Sequence, residues 1–360
     1  SSAIEEQIVK MQPIKSSWLV VRNQQFSFQV DRRAPVVFMV LLVLTLVAMV
    51  LNTAVGEYLI SPLDVVKTLL GIDTGNSDHA FIIHTLRLPR TLVAVLVGMA
   101  LAIAGTITQG ILRNPLAAPG VIGVNSGASL AAVILLVLFP GAPISLLPPA
   151  AFGGGFVVFV LIYGLGWRGG IAPVRLILVG VAFTLIADSF TSILTTFGNI
   201  ETVSSALVWL AGSVYGRTWE QLLALLPWLV VLCPTALFMA REMNVLNLGD
   251  DVARGLGSSV ERQRILLLTI SVALSGAAVA TAGGIGFVDF ITPHIARRLV
   301  GASHQGLLPV AAVTGGLLVV VADLIGRLLF APIELPAGLI TSGIGAPYFL
   351  YLLMQRRRAI

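Results

Sequence analysis

Long apolar runs separated by short polar connections make up most of the chain. A membrane-spanning helix needs about 20 mostly apolar residues. Runs of that kind fall at 35–56, 91–112, 121–140, 148–167, 174–197, 221–240, 265–283, 285–300, 306–329 and 336–354. The seventh and eighth come from one stretch, "ILLLTISVALSGAAVATAGGIGFVDFITPHIA". Read as a single helix from Arg264 to Arg297, it would be about 50 Å long at 1.5 Å per residue, too long for a hydrocarbon core of about 30 Å. The "GGIG" at 283–286 is the natural break. The pattern therefore predicts an all-α polytopic membrane protein with ten spans, in which residues 35–355 form a single transmembrane domain after a polar segment, 1–34.

The connections carry their own pattern. The loop 57–90 is polar, with Asp64, Asp73 and Asp78, and is long enough for short interfacial helices. Loop 198–220 contains "VSSALVWLAGSV", an amphipathic patch that predicts a short helix over 203–212. The loop 241–264, "REMNVLNLGDDVARGLGSSVERQR", predicts two short helices. One starts at Asn247, with Asp250 and Asp251 favouring its N-terminal end, and one follows the "GLG" break. On the residues alone this loop is either an ordinary solvated connection or a docking element. "RNPLAAPG", 113–120, has the two prolines of a tight turn.

Composition supports the membrane reading. Hydrophobic residues are 57% of the 360 and charged residues 11%, against about 25% charged in a soluble domain, and the mean hydropathy is +0.96. The net charge of +5 does not point to nucleic acid, because the basic residues sit at the ends of apolar runs. Single Cys233 permits no internal disulfide and no multi-cysteine metal site. The first residues, with Glu5, Glu6 and Lys10, are too polar for a signal peptide. With ten spans both ends of the domain share a side. If that side is the cytoplasm, only Lys67, Arg87, Arg90, Arg217 and Arg327 of the 22 Lys and Arg fall outside, which is the orientation the positive-inside rule selects.

Chemistry-bearing motifs are sparse. There is no GxxxxGK[ST] phosphate loop and no Gly-Lys pair, so ATP hydrolysis by that route is excluded. His79, His84, His294 and His304 are scattered and no HExxH occurs, so neither a catalytic set nor a metal site is expected. Ionisable residues inside spans are functional candidates by default. Asp188 lies midway along the fifth span, lining an aqueous path or neutralised as a structural group. Asp323 is one helical turn from Arg327, an i,i+4 pair. Asp289 lies in "GFVDFITPHIARR", and His294 reads as a packing residue.

Four stretches, "RLPRTLVAVLVGMALAIAGTITQGILRNPLAAPGVIGVNSGA", "LNLGDDVARGLG", "GGIGFVDFITPHIARRLVG" and "ADLIGRLLFAPIELPAGLITSGIGAPYFLYLL", together resemble the membrane permease of bacterial ABC importers for iron–siderophore complexes, haem and cobalamin. The resemblance runs from about 55 to 355. It implies the type II importer architecture in the inner (cytoplasmic) membrane, with both termini cytoplasmic. It also implies a second permease subunit (a related heterodimer partner rather than a homodimer), two ATPase subunits that bind ATP and Mg, and an extracytoplasmic substrate-binding protein. The chain itself would hold no cofactor. Residue by residue, Arg87, Arg90 and Arg327 match arginines that dock the binding protein. Leu246, Asn247, Leu248, Gly249, Asp250, Asp251, Ala253, Arg254, Gly255, Leu256 and Gly257 match the ATPase-coupling element. Asn114, Leu116, Pro173 and Val174 fall at the cytoplasmic gate. Pro89, between Arg87 and Arg90, reads on its own as a helix start ahead of the second span. Asp289 departs from the small residue usual there, Asp188 sits in a span that need not carry a charge, and Pro-Val replaces a hydroxyl pair at the gate. The expected activity is alternating-access import of a ferric siderophore. Cobalamin or haem import is the alternative within the family, and a secondary transporter or channel the alternative outside it.

Overall fold

The computed structural model describes residues 18–22, 27–166, 173–329 and 333–357. Lys10, Lys15, Arg168 and Arg358, which enter the charge count, lie outside them. An antiparallel hairpin, β1 (Trp18–Arg22) and β2 (Ser27–Asp31), precedes the helical body. Ten helices occupy the ten predicted positions. They are α1 (Arg33–Ala54), α4 (Leu88–Ile111), α5 (Val124–Leu138), α6 (Leu147–Gly166), α7 (Pro173–Phe197), α9 (Trp219–Phe238), α12 (Val260–Ala282), α13 (Val288–Val300), α14 (His304–Leu328) and α15 (Ala337–Arg357). Seven of these segments are long and apolar enough to cross a membrane by length and composition, and α5, α13 and α15 are shorter or less apolar.

The connections hold short helices: α2 (Pro62–Leu69), α3 (Ser77–Phe81), α8 (Ile200–Leu210), α10 (Ala240–Asn247) and α11 (Asp250–Gly255). Local chemistry starts them. Ser61 accepts the Leu63 N–H ahead of Pro62, Asn76 accepts the Asp78 N–H, and Thr218 with Gln221 forms a capping box before α9.

Burial divides the bundle. In the apolar windows of the segments ending in α4, α12 and α14, between 67 and 83% of residues are buried, against 17 to 22% in α1, α6, α7 and α9. The first three form the centre, with α13 against α4 and α14. Glycine permits the closest approaches. A Cβ on Gly98 would overlap the Gly315 carbonyl across the α4–α14 contact, and one on Gly105 would overlap the backbone of Asp289. Small residues are what lets membrane helices come this near.

Three local expectations need correction. α4 opens at Leu88 with Pro89 in its first turn, but this is not a free helix start: α3 and a π-helical turn, Ile82–Arg87, run into it as one helical segment from Ser77 to Ile111. Proline's ring presses on the preceding turn and it lacks an N–H, and a widened turn directly before it accommodates both. In the 241–264 loop, α10 starts at Ala240 and ends at Asn247, and α11 starts at Asp250 after Gly249, whose φ of 107° a side chain would resist. The chain after "GLG" forms no separate helix and enters α12 at Val260. The break between α12 and α13 falls where "GGIG" predicted it, with Gly283 and Phe287 both at positive φ.

Candidate functional site

Three polar regions stand out in an otherwise apolar molecule. The first, at the end of the bundle where α4 starts, joins α1, α4 and α14. Asp323 is 1% exposed and its carboxylate accepts four N–H groups. Arg90 supplies two of them, Nε to Oδ2 at 3.1 Å and Nη2 to Oδ1 at 2.6 Å. Arg327 Nη2 contributes at 3.2 Å and Asn52 Nδ2 at 3.0 Å. A second carboxylate, Glu334, lies outside these. Its Oε2 accepts from Arg90 Nη1 at 2.7 Å, and its Oε1 is 4.0 Å from Arg327 Nε. Arg327 also donates to the carbonyls of Asn52 and Val55. Arg87 donates to the carbonyls of Thr53, Ala54 and Tyr58, capping the buried C-terminal end of α1. The ring of Tyr215 covers Arg90, with the guanidinium carbon 5.3 Å from its centroid.

All three arginines predicted to dock a partner therefore share one patch, but Arg90 and Arg327 are each 7% exposed and already paired. The Asp323–Arg327 pair expected from spacing is present at 3.2 Å. Asn52, Glu334 and Tyr215 went unforeseen. The only available signal was a polar Asn in the apolar run "MVLNTAV", since polar side chains at membrane depth need partners.

The second region lies at the opposite end of α4. Asp250, in the first turn of α11, is held by Arg113 just beyond α4 and by Arg264 of α12, whose Nη2 donates to both oxygens at 2.9 and 3.0 Å. Arg254 pairs with Asp251 at 3.4 Å, and Ser258 donates to Glu242 at 3.3 Å. Leu246 and Ala253 point into the core, whereas Leu248, Val252 and Leu256 are exposed at four-residue spacing. Gly255 and Gly257 have open space around the position of an added Cβ, and Gly257 has a φ of 84°. Among the described residues this is a compact segment pinned on its inner side and apolar on its outer.

The third region is the turn after α4. Asn114 Oδ1 accepts the Leu116 N–H at 2.9 Å, and its carbonyl accepts that of Ala117 at 3.0 Å. Leu116 packs on a cluster containing Phe290, Ile291 and Leu352. The following turn, Pro119–Ile122, meets α7, which opens at Pro173 with Val174 exposed beside it. Asp289 is buried in the first turn of α13, a helix position that favours an anion. Asp188 is exposed midway along α7, as are Leu185, Ile186 and Phe190, and no other described residue covers them.

No group of three or more His, Cys, Asp or Glu able to hold a metal occurs among the described residues. The constellation is that of a multi-span helical transport protein: a charge-locked end, a pinned apolar-faced segment at the other end, and an unpartnered helix face between them. Comparison with known proteins makes this specific. The chain belongs to the FecCD transport family, which it matches over residues 44–355. It is 42% identical over 341 residues to the achromobactin transport system permease protein CbrC of Dickeya dadantii (strain 3937), covering 94% of this chain and 97% of that one. It is 41% identical over 329 residues to the Fe(3+)-citrate import system permease protein YfmE of Bacillus subtilis (strain 168), covering 91% and 97%. A solved structure described as an inward-facing, metal-chelate type ABC transporter matches with a TM-score of 0.80 at 30% identity, over 89% of this chain and 99% of that one. The chain is thus a membrane permease of the ABC-importer type and not an enzyme.

Proposed function

We propose that this chain is the permease subunit of an inner-membrane importer that carries a ferric siderophore inward, driven by ATP hydrolysis on separate subunits. The observation that carries the reading is the match over nearly the whole helical body to a transport family whose compared members are permeases for iron chelates. Both termini lie in the cytoplasm, with residues 1–34 as a cytoplasmic segment and 35–355 as the permease domain. The Arg90 end then faces out and the Asp250 end faces in.

In this orientation the patch of Arg87, Arg90 and Arg327 receives an acidic surface of the substrate-binding protein. The support is the clustering of three guanidinium groups, which suit carboxylate partners. Residues 246–257 couple to an ATPase through Leu248, Val252 and Leu256, supported by the outward apolar stripe on a segment whose inner side is pinned. Asn114, Leu116, Pro173 and Val174 border the cytoplasmic gate. The uncovered face of α7 meets the pathway and a second, related permease. A carboxylate at mid-span is costly against lipid, so exposed Asp188 favours a water-lined or protein-covered surroundings for that face. ATP and Mg remain with the ATPase partners.

The test is whole-cell uptake of radiolabelled iron in a strain lacking this chain, across citrate, hydroxamate and catecholate chelates, with haem and cobalamin as the other cargo classes. Uptake of one ferric chelate should be lost, be restored by the chain, and require a hydrolysis-competent ATPase partner. Restoration without the ATPase would identify a secondary transporter and overturn the reading.

A further inference from the structure

We propose, building on the importer reading and its outward orientation, that Arg217 is a further docking residue for the substrate-binding protein and takes a carboxylate from its surface. Arg217 lies on the loop joining α8 to α9. Among the described residues its side chain has no hydrogen-bond partner and no ion pair. The side chain is half-buried, with Nε fully enclosed. Arg87, Arg90 and Arg327 differ from it, because they donate to carbonyls and carboxylates of the chain itself.

Local physics opposes a cation at this position. Burial lowers the pKa of the guanidinium, with no carboxylate to offset it. Arg217 directly precedes Thr218, the N-cap of α9, where the helix dipole favours an anion. Its outward placement also runs against the topology bias. A charge that destabilises its surroundings and has no partner within the chain is suited to a partner outside it, and a guanidinium fork matches a carboxylate. The loop is held firmly. The Arg217 N–H closes a turn on the Val214 carbonyl at 3.3 Å, with Gly216 at a φ of 67°. The Ser213 N–H donates to the Ala282 carbonyl at the end of α12, at 2.7 Å, and the Gly338 N–H of α15 donates to the Gly212 carbonyl at 2.9 Å. Tyr215 covers Arg90, and Trp219 Nε1 donates to the His84 carbonyl at 2.8 Å. Arg217 is two residues from each, so its backbone lies within about 7 Å of both. Tyr215 is 65% exposed and Trp219 40%. Tyr, Arg and Trp are the residue types that dominate binding energy at protein interfaces. A fixed loop presents all three beside the arginine patch, with little left to order on binding.

The test uses the assembled importer in lipid nanodiscs and the purified substrate-binding protein required for the uptake described above, with and without its ferric chelate. Association is followed by interferometry at low and physiological salt. Arg217→Gln should weaken binding by at least about fivefold at low salt, chiefly through the association rate, and flatten its salt dependence. Arg217→Glu should weaken it further, and Arg217→Lys, which keeps the charge, should lose less than Arg217→Gln. Lys67→Gln makes the same change in net charge at a residue already paired with Asp64 and should leave affinity near the parent value. The thermal midpoint of Arg217→Gln should not fall, because no partner inside the chain is lost. A lowered midpoint or a failure to fold would show a structural role and overturn the assignment. So would parental affinity in Arg217→Gln, or an equal loss in Lys67→Gln, and either would leave the importer reading intact. A loss confined to the chelate-loaded binding protein would give the carboxylate to the cargo and overturn docking on the protein surface. Failure of the parent importer to bind the protein at all would overturn the docking reading itself.

Discussion

Replacing Arg90 by Met tests whether the charge cluster joining α1, α4 and α14 holds the fold together. Asp323 and Glu334 pair with the guanidinium groups of Arg90 and Arg327. Arg90→Met withdraws two of the four donors to Asp323, a carboxylate that is 1% exposed. Breaking a buried pair from one side costs about 3–5 kcal/mol. Arg327 and Asn52 still reach Asp323, so the expected loss is about 3 kcal/mol, roughly a hundredfold in the folded-to-unfolded ratio. Adding Asp323→Leu removes the buried carboxylate that lost its donors, and Arg327 keeps Glu334 nearby. The double variant should therefore be more stable than the sum of the single losses by about 1–3 kcal/mol, the range for directly interacting pairs. Unfolding in detergent can be followed with a thiol-reactive dye, since Cys233 is the only cysteine and is not fully exposed. A single variant as stable as the parent, or strictly additive losses, would refute the reasoning. The same numbers show why reversing Arg90 to Glu is a poor docking test: it would place three carboxylates around Arg327 and confound docking with folding.

A cleaner probe of docking is Glu334→Gln, which keeps the Arg90–Asp323 pair and replaces the competing charge beside Arg90 with a neutral, weaker acceptor. Binding-protein affinity measured by interferometry should rise several-fold at low ionic strength and converge with the parent at high salt, and an unchanged affinity would remove Arg90 from the docking surface. Val252→Asp should weaken ATPase association by about 1–3 kcal/mol, as for a central interface residue, and leave the permease midpoint unchanged; co-purification at parental yield would count against the coupling face. Gly105→Ala forces a methyl against the backbone of Asp289. It should cost about 1–3 kcal/mol by overpacking, and a parental midpoint would show that α4 and α13 can separate freely. Leu185→Arg, on the uncovered face of α7, should abolish permease pairing in crosslinking while the chain still inserts, and intact pairing would place the partner elsewhere.

Much of the architecture was legible because the membrane imposes it. Span length and polar punctuation placed all ten helices, and the length limit alone split α12 from α13. The i,i+4 pair of Asp323 and Arg327 was also legible, since helical geometry is local. The pairing of Arg90 with Asp323 was not, because 233 positions separate them and only packing of α4 on α14 brings them together. Asn52 was hidden for the same reason. The π-turn ahead of Pro89 escaped because a proline reads equally as a helix start or as a residue a distorted helix must accommodate. In the 241–264 loop the acidic pair correctly marked a helix start. The error in register arose because Gly249, rather than Asn247, supplies the break.

α4 links the two polar ends. Its 24 residues span about 36 Å at 1.5 Å per residue, Arg90 is locked at one end, and Arg113 follows directly at the other, fastened to Asp250. Between them, Gly98 and Gly105 bring its backbone against α14 and α13 with no room for a methyl group. Close-packed interiors shift between discrete arrangements and do not deform continuously. A push on the Asp250 segment would therefore move α4, α13 and α14 as one body and not bend α4. The relative motion that alternating access requires must then fall at a looser boundary. α7 offers one: it is mostly exposed and meets the block's near end at the Pro119–Ile122 turn. On this argument, gating is a rotation of α7 and its neighbours against a rigid centre, and the residues that limit it lie at that turn and not in the buried charge cluster.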